Sequence, residues 1–84
     1  MSDETHGIEQ LVHSVIIALV DEPDAVEVSS HEEGSSLVID VKVADGDAGK
    51  VIGRQGRIIK SLRTLARAAS SYQGGKHIEV EILD

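Results

Sequence analysis

The first half of the chain shows a helical period followed by a strand period. Apolar residues recur every three or four positions near the N-terminus, which predicts an amphipathic helix. They are Ile8, Leu11, Val12, Val15, Ile16 and Leu19. Pro23 and its acidic neighbours end this helix. Val26 and Val28 flank a polar residue, and apolar residues recur at every second position from 37 to 43. These two runs predict strands joined through Glu33-Gly34-Ser35 as an antiparallel hairpin.

The second half repeats the helical period and closes with one more strand. A short helix is predicted at about residues 47–52, after Asp45-Gly46-Asp47, whose carboxylates suit a helix N-cap. From Arg57 to Tyr72, apolar residues cover one arc of a helical wheel and cations cover the opposite arc. This pattern predicts an amphipathic helix that ends at Gly74-Gly75. Apolar residues at 78, 80 and 82 then alternate with polar ones as a last strand.

The order of elements is therefore α-β-β-α-α-β, which fixes a fold class. The length suits one domain, which we place at residues 8–84 after a flexible N-terminus at residues 1–7. The hairpin strands are antiparallel, whereas two helices between the second and third strands allow a right-handed crossover between parallel strands. We predict an α+β fold, with a mixed three-stranded sheet and helices on one face.

Charge is segregated along the chain in a way that the total conceals. The formal net charge is −7, which taken alone argues against a nucleic acid, because binding phosphates needs cations. Residues 1–49 carry −11, residues 50–76 carry +7 with no acidic residue, and residues 77–84 carry −3. The basic segment is thus a local surface for an anionic ligand.

A glycine loop, Gly53-Arg54-Gln55-Gly56, lies inside this basic segment between the two predicted helices. Two glycines at this spacing permit positive φ and leave the backbone open to a ligand. The loop leads into a helix N-terminus, where free N–H groups attract anions. Arg57 follows the loop directly, and Lys50 and Lys60 lie within about a turn of it. We interpret the segment as a cradle for a sugar–phosphate backbone. Its aliphatic neighbours, which could form a floor for bases, are Val51, Ile52, Ile58 and Ile59.

Composition excludes several other kinds of site. Tyr72 is the single aromatic residue, so bases cannot stack on an aromatic platform. The chain has no cysteine, and its four histidines lie at no metal-ligand spacing, so no metal site is predicted. The run from Gly46 to Lys50 departs from a P-loop in glycine spacing and lacks the following Ser or Thr. We therefore predict no catalytic residue and no cofactor. The longest apolar run, Val15–Val20, is too short to span a bilayer, and we expect a soluble cytoplasmic protein.

Two stretches and the element order resemble a known family. The stretches are Leu19–Val28 (LVDEPDAVEV) and Gly49–Arg63, and the resemblance extends from about Ile8 to Asp84. The chain resembles type II KH domains and, more narrowly, the KhpA (YlqC) family of small bacterial single-KH-domain RNA-binding proteins. The resemblance implies that the G-x-x-G loop clamps about four nucleotides of single-stranded RNA by the backbone.

The resemblance also assigns roles within the site. It gives the clamp to Gly53, Arg54, Gln55 and Gly56, phosphate contacts to Lys50, Arg57 and Lys60, and the base groove to Ile52 and Ile59. It implies an RNA chaperone or post-transcriptional regulator linked to cell shape and division, as a homodimer or with a KhpB-like KH protein, and without a membrane partner. Two alternatives stay open here. One is a protein-interaction subunit for which RNA binding is secondary, and the other is an enzyme acting on a phosphorylated small molecule.

Overall fold

The computed structural model describes residues 3–69 and 77–83, and their elements follow the predicted order. The helices and strands are α1 (Asp3–Leu19), β1 (Glu27–Glu33), β2 (Ser36–Lys42), α2 (Ala48–Ile52), α3 (Arg57–Ala69) and β3 (His77–Leu83). Short 3-10 turns at Pro23–Ala25 and Arg54–Gly56 lie between them. The predicted end of α3 near Tyr72 and Gly74-Gly75 falls outside the described residues.

Within this described part of the chain, the sheet is mixed and has the strand order β1-β2-β3. β1 and β2 are antiparallel, with Val28 opposite Val41. β2 and β3 are parallel, with Ile39 opposite Val80. The connection between the parallel strands carries α2 and α3, which supplies the length that a parallel pair needs. The predicted α+β class and sheet topology are confirmed.

The core lies between the helices and one face of the sheet. The apolar stripes of α1 and α3 meet the alternating apolar residues of β2 and β3. Side chains that are almost completely buried there include Ile16, Ile39, Leu62 and Ile78. Truncating one of them to alanine is expected to cost about 2–5 kcal/mol. This core holds α3, and therefore the loop before it, in a fixed position on the sheet.

The N-terminal helix begins earlier than its apolar pattern. α1 starts at Asp3, so residues 3–7 are helical, although apolar spacing predicts a helix only from Ile8. The reason is that the apolar pattern marks only the turns that face the core. Flexibility of residues 1–7 in solution stays a prediction. No helix in residues 3–69 or 77–83 has the length and apolarity to cross a bilayer.

The entry into α2 corrects a second expectation. Asp47 stands at the N-cap position, but its side chain makes no capping hydrogen bond to α2. Its Oδ2 instead accepts a hydrogen bond from the backbone N–H of Glu22, at 3.2 Å. The side chain thus connects the segment after α1 to the start of α2, a contact across 25 positions of sequence that local capping rules do not reveal.

Candidate nucleic-acid interface

The loop between α2 and α3 has a backbone that suits glycine. Gly53 has φ 76° and ψ 176°, and Gly56 has φ 73°. Positive φ is strained for a residue with a Cβ, whereas glycine adopts it readily. The N–H of Gly53 donates to the Gly49 carbonyl at 2.9 Å, and the N–H of Gly56 donates to the Gly53 carbonyl at 3.2 Å. These bonds close α2 and form the compact turn that begins α3.

The two glycines are needed for different reasons. A Cβ on Gly53 would lie 2.7 Å from Cγ1 of Ile58, so the first turn of α3 packs directly on this backbone. A Cβ on Gly56 would lie 3.7 Å from its nearest neighbour, Cγ2 of Ile59, which is ordinary van der Waals contact. Packing and conformation both require the first glycine. Only the backbone conformation requires the second.

Gln55, between the glycines, also has a left-handed backbone. Its φ is 56° and its ψ is 24°, and in the described part of the chain it is the one residue other than glycine with positive φ. Such a conformation costs a side chain roughly 1–2 kcal/mol. Its Oε1 accepts a hydrogen bond from a guanidinium nitrogen of Arg57, at 3.3 Å. Strained residues cluster at functional sites, and no pattern in the sequence predicts the one at Gln55.

Three cations surround this loop without a carboxylate partner. Arg54, Arg57 and Lys60 are exposed, and no acidic side chain in residues 6–69 or 77–83 forms an ion pair with them. Arg54 lies within the loop, and the other two lie in the first turn of α3. The free N–H groups and the dipole of a helix N-terminus act at the same place. Positive potential is therefore concentrated at the loop.

Lys50, one of the three predicted phosphate contacts, is already paired. Its Nζ lies 3.2 Å from Oδ2 of Asp21 and 3.2 Å from Oδ1 of Asp47. Hydrogen bonds raise the pKa of Lys50 above its ordinary value, and the bond to Asp21 has a larger effect than the bond to Asp47. A phosphate that binds Lys50 would have to compete with these two carboxylates for its charge. Its predicted phosphate contact stays a prediction.

Asp47, which forms an ion pair with Lys50, is a buried residue at the start of α2. Only 3% of the surface of Asp47 is exposed to solvent. Burial raises the pKa of Asp47, but hydrogen bonds from Lys50 and from the backbone N–H groups of Asp21 and Glu22 outweigh burial and hold the pKa below its usual value. The ionised form therefore fits this position.

The aliphatic neighbours of the loop divide into buried and accessible ones. Val51 is fully buried and Ile58 packs beneath Gly53, so both belong to the support of the loop. Ile52 is 39% exposed and Ile59 is half-buried. The two isoleucines predicted to line a base groove thus retain accessible surface, as does Ile58, which is also half-buried. In the described ranges, no group of three or more His, Asp or Glu side chains is placed to hold a metal ion.

Comparison with known proteins agrees with this architecture. The family model described as "KhpA/KhpB, KH domain" matches residues 9–82. A relative named RNA-binding protein KhpA, from Caldanaerobacter subterraneus, is 49% identical over 74 residues, which is 88% of this chain and 97% of that protein. The proteins of the same name from Halalkalibacterium halodurans and Clostridium acetobutylicum are 44% and 43% identical, over 92% and 90% of this chain and 100% of each relative.

A solved structure shares the fold. A crystal structure of Era from Aquifex aeolicus matches with a TM-score of 0.69 at 20% identity, over 98% of this chain and 32% of that chain. At that identity the match supports the fold alone. The family match and the observed element order together confirm the type II KH fold that the resemblance implies. The chain belongs to the KhpA/KhpB family of KH domains.

Proposed function

We propose that this chain is an RNA-binding protein that clamps single-stranded RNA at the loop Gly53-Arg54-Gln55-Gly56. One observation carries the proposal: Arg54, Arg57 and Lys60 surround an exposed glycine loop at a helix N-terminus with no carboxylate paired to them among the described residues. That curated relatives are named RNA-binding protein supports it.

The loop geometry accounts for how such a clamp would work. Gly56 has no side chain to shield its half-buried backbone, so a sugar–phosphate chain could approach the N–H groups that begin α3. Arg54 and Arg57 each carry a planar guanidinium, which suits paired hydrogen bonds to phosphate oxygens. Bases would then lie toward Ile52 and Ile59, held by van der Waals contact. About four nucleotides fill such a site.

The acidic residues outside the basic segment favour RNA binding at the loop over binding elsewhere on the surface. The sheet face opposite the core carries five carboxylates and one lysine, namely Glu27, Glu33, Asp40, Glu79, Glu81 and Lys42. Its negative potential repels a polyanion. RNA would therefore be directed to the basic loop, even though the whole chain carries −7.

The wider role is proposed from the family resemblance. We infer a non-catalytic RNA chaperone or post-transcriptional regulator in the cytoplasm, linked to cell shape and division. A second KH chain, either another copy or a KhpB-like protein, would be its protein partner. Ile17 on α1 is an exposed apolar residue that such a partner could cover.

A double substitution tests RNA binding at the loop. Arg54→Asp with Gln55→Asp replaces a cation by an anion, and aspartate tolerates the left-handed conformation at position 55. Circular dichroism and urea unfolding would establish that the variant folds. Fluorescence anisotropy with a labelled single-stranded RNA should show affinity lowered by more than about tenfold.

A matched control separates local from total charge. Lys42→Asp with Gln10→Asp makes the same change in net charge at exposed positions on β2 and α1. This control should keep most of the native affinity. A folded loop variant that binds RNA as tightly as the native chain would contradict the proposed function.

A further inference from the structure

The carboxylate of Glu79 on β3 forms ion pairs with two arginines of α3. Its Oε1 lies 3.3 Å from Nε of Arg63, and its Oε2 lies 3.3 Å from a terminal nitrogen of Arg67. Nε2 of His77 lies 2.6 Å from the same Oε2. Arg67 also donates from Nε to the carbonyl of Ile78, at 3.1 Å. Both arginines therefore reach away from α3 and are held against β3.

These two arginines continue the basic surface that begins at the loop. Arg57, Lys60, Arg63 and Arg67 fall within an arc of about 120° on the α3 helical wheel. Lys60 and Arg67 are almost aligned, about 10 Å apart along the helix axis. A strand clamped at the loop and running along α3 would pass Lys60 and then reach the two arginines.

We propose that Glu79 limits the RNA-binding surface by keeping Arg63 and Arg67 from the phosphates; this inference rests on the proposed function of the loop. A phosphate that binds either arginine must compete with the carboxylate of Glu79 for the guanidinium charge. The gain from the new contact is therefore offset by the loss of the old one. Glu79 thus confines strong binding to the short segment at Arg54, Arg57 and Lys60.

Glu81 provides a matched control on the same strand. It lies two residues after Glu79, on the same sheet face, and is exposed. In the part of the chain that the structure describes, it has no ion pair with an arginine or lysine. Glu81→Gln therefore removes the same charge as Glu79→Gln but keeps the carboxylate that is paired with the two arginines.

The experiment compares two labelled single-stranded RNAs, one of about four nucleotides, which fills the loop site, and one of roughly ten, which also passes α3. Affinity is measured over a series of salt concentrations for the native chain, Glu79→Gln and Glu81→Gln. For the longer RNA, the slope of log K against log salt should steepen from about −2 to about −3.5 in Glu79→Gln, because each phosphate contributes about 0.7. Affinity at low salt should rise by about tenfold.

The short RNA and the control decide the interpretation. Glu79→Gln should bind the short RNA as the native chain does, and Glu81→Gln should resemble the native chain on both. Equal behaviour of the two variants on the longer RNA would overturn the inference. A native chain that binds neither RNA would instead refute the proposed function.

A second variant tests the same inference independently of whether Glu79→Gln folds. Arg63→Gln in the native background should leave affinity for the longer RNA unchanged, because this arginine is already neutralised. A loss of more than about threefold, in a folded variant, would mean that Arg63 contacts RNA while Glu79 is present and would overturn the inference.

Discussion

The backbone of Gly53 and the side chain of Ile58 are in direct contact: a Cβ on Gly53 would lie 2.7 Å from Cγ1 of Ile58. Ile58 begins the apolar stripe of α3 and packs against the core. The conformation of the loop and the position of α3 therefore depend on each other. A residue at the proposed RNA site is at the same time part of the packing that fixes α3.

Gly53→Ala should be more destabilising than Gly56→Ala. The first places a Cβ at φ 76° and ψ 176° and crowds Ile58, so we expect a loss of about 3 kcal/mol or more. The second places a Cβ at ordinary van der Waals distance from Ile59, so it carries only the cost of positive φ, about 1 kcal/mol. Urea unfolding measures both. Equal losses would contradict the packing of Gly53 on Ile58.

Acid should remove the contribution of Asp47 to stability. The folded pKa of Asp47 lies below its ordinary value of 3.8, so its carboxylate stabilises the fold above that value. The contribution is lost as pH falls through the folded pKa. The urea midpoint of the native chain should exceed that of Asp47→Asn at neutral pH, and the difference should close in strong acid. A difference that is constant with pH would contradict this role.

His31 should stabilise the fold at low pH rather than at high pH. Its Nδ1 lies 2.7 Å from Oδ2 of Asp40 and its Nε2 lies 2.7 Å from Oε2 of Glu33. Hydrogen bonds raise the pKa of His31 above 6.5, and the bond to Glu33 has a larger effect than the bond to Asp40. Only the imidazolium can donate to both carboxylates, since a neutral ring has one N–H.

The resulting stabilisation is complete below the unfolded pKa of 6.5 and is lost as pH rises through the higher folded value. The native chain should therefore exceed His31→Gln in stability most clearly in mild acid, and this advantage should fade at alkaline pH. An NMR titration of His31 would locate the folded pKa. A folded value at or below 6.5 would contradict the geometry.

Element type and topology were predictable because they depend on local patterns. The alternation from Leu37 to Val43 predicts β2, and the spacing from Ile8 to Leu19 predicts the buried side of α1. Two helices between β2 and β3 make a parallel pair the expected one. In the loop, Gly53 and Gly56 indicate the turn because they lie between two predicted helices and glycine adopts positive φ readily.

Contacts between distant side chains were not predictable in the same way. Lys50 reads from the sequence as a phosphate contact, but Asp21, from a different element, holds it. Arg63 and Arg67 belong to the basic arc that the sequence predicts for α3, but Glu79 on β3 pairs with both. Charge counted along the sequence gives the sign of a segment. Only the folded arrangement tells which cations of that segment remain unpaired.

The most direct test of the account is a map of backbone amide shifts when single-stranded RNA is added to the native chain. Two-dimensional NMR should show the largest changes at Gly53–Gly56 and in the first turn of α3. Strand residues on the acidic sheet face, such as Asp40 and Glu81, should change little. Changes concentrated on that sheet face, or none at a saturating RNA concentration, would contradict RNA binding at the glycine loop.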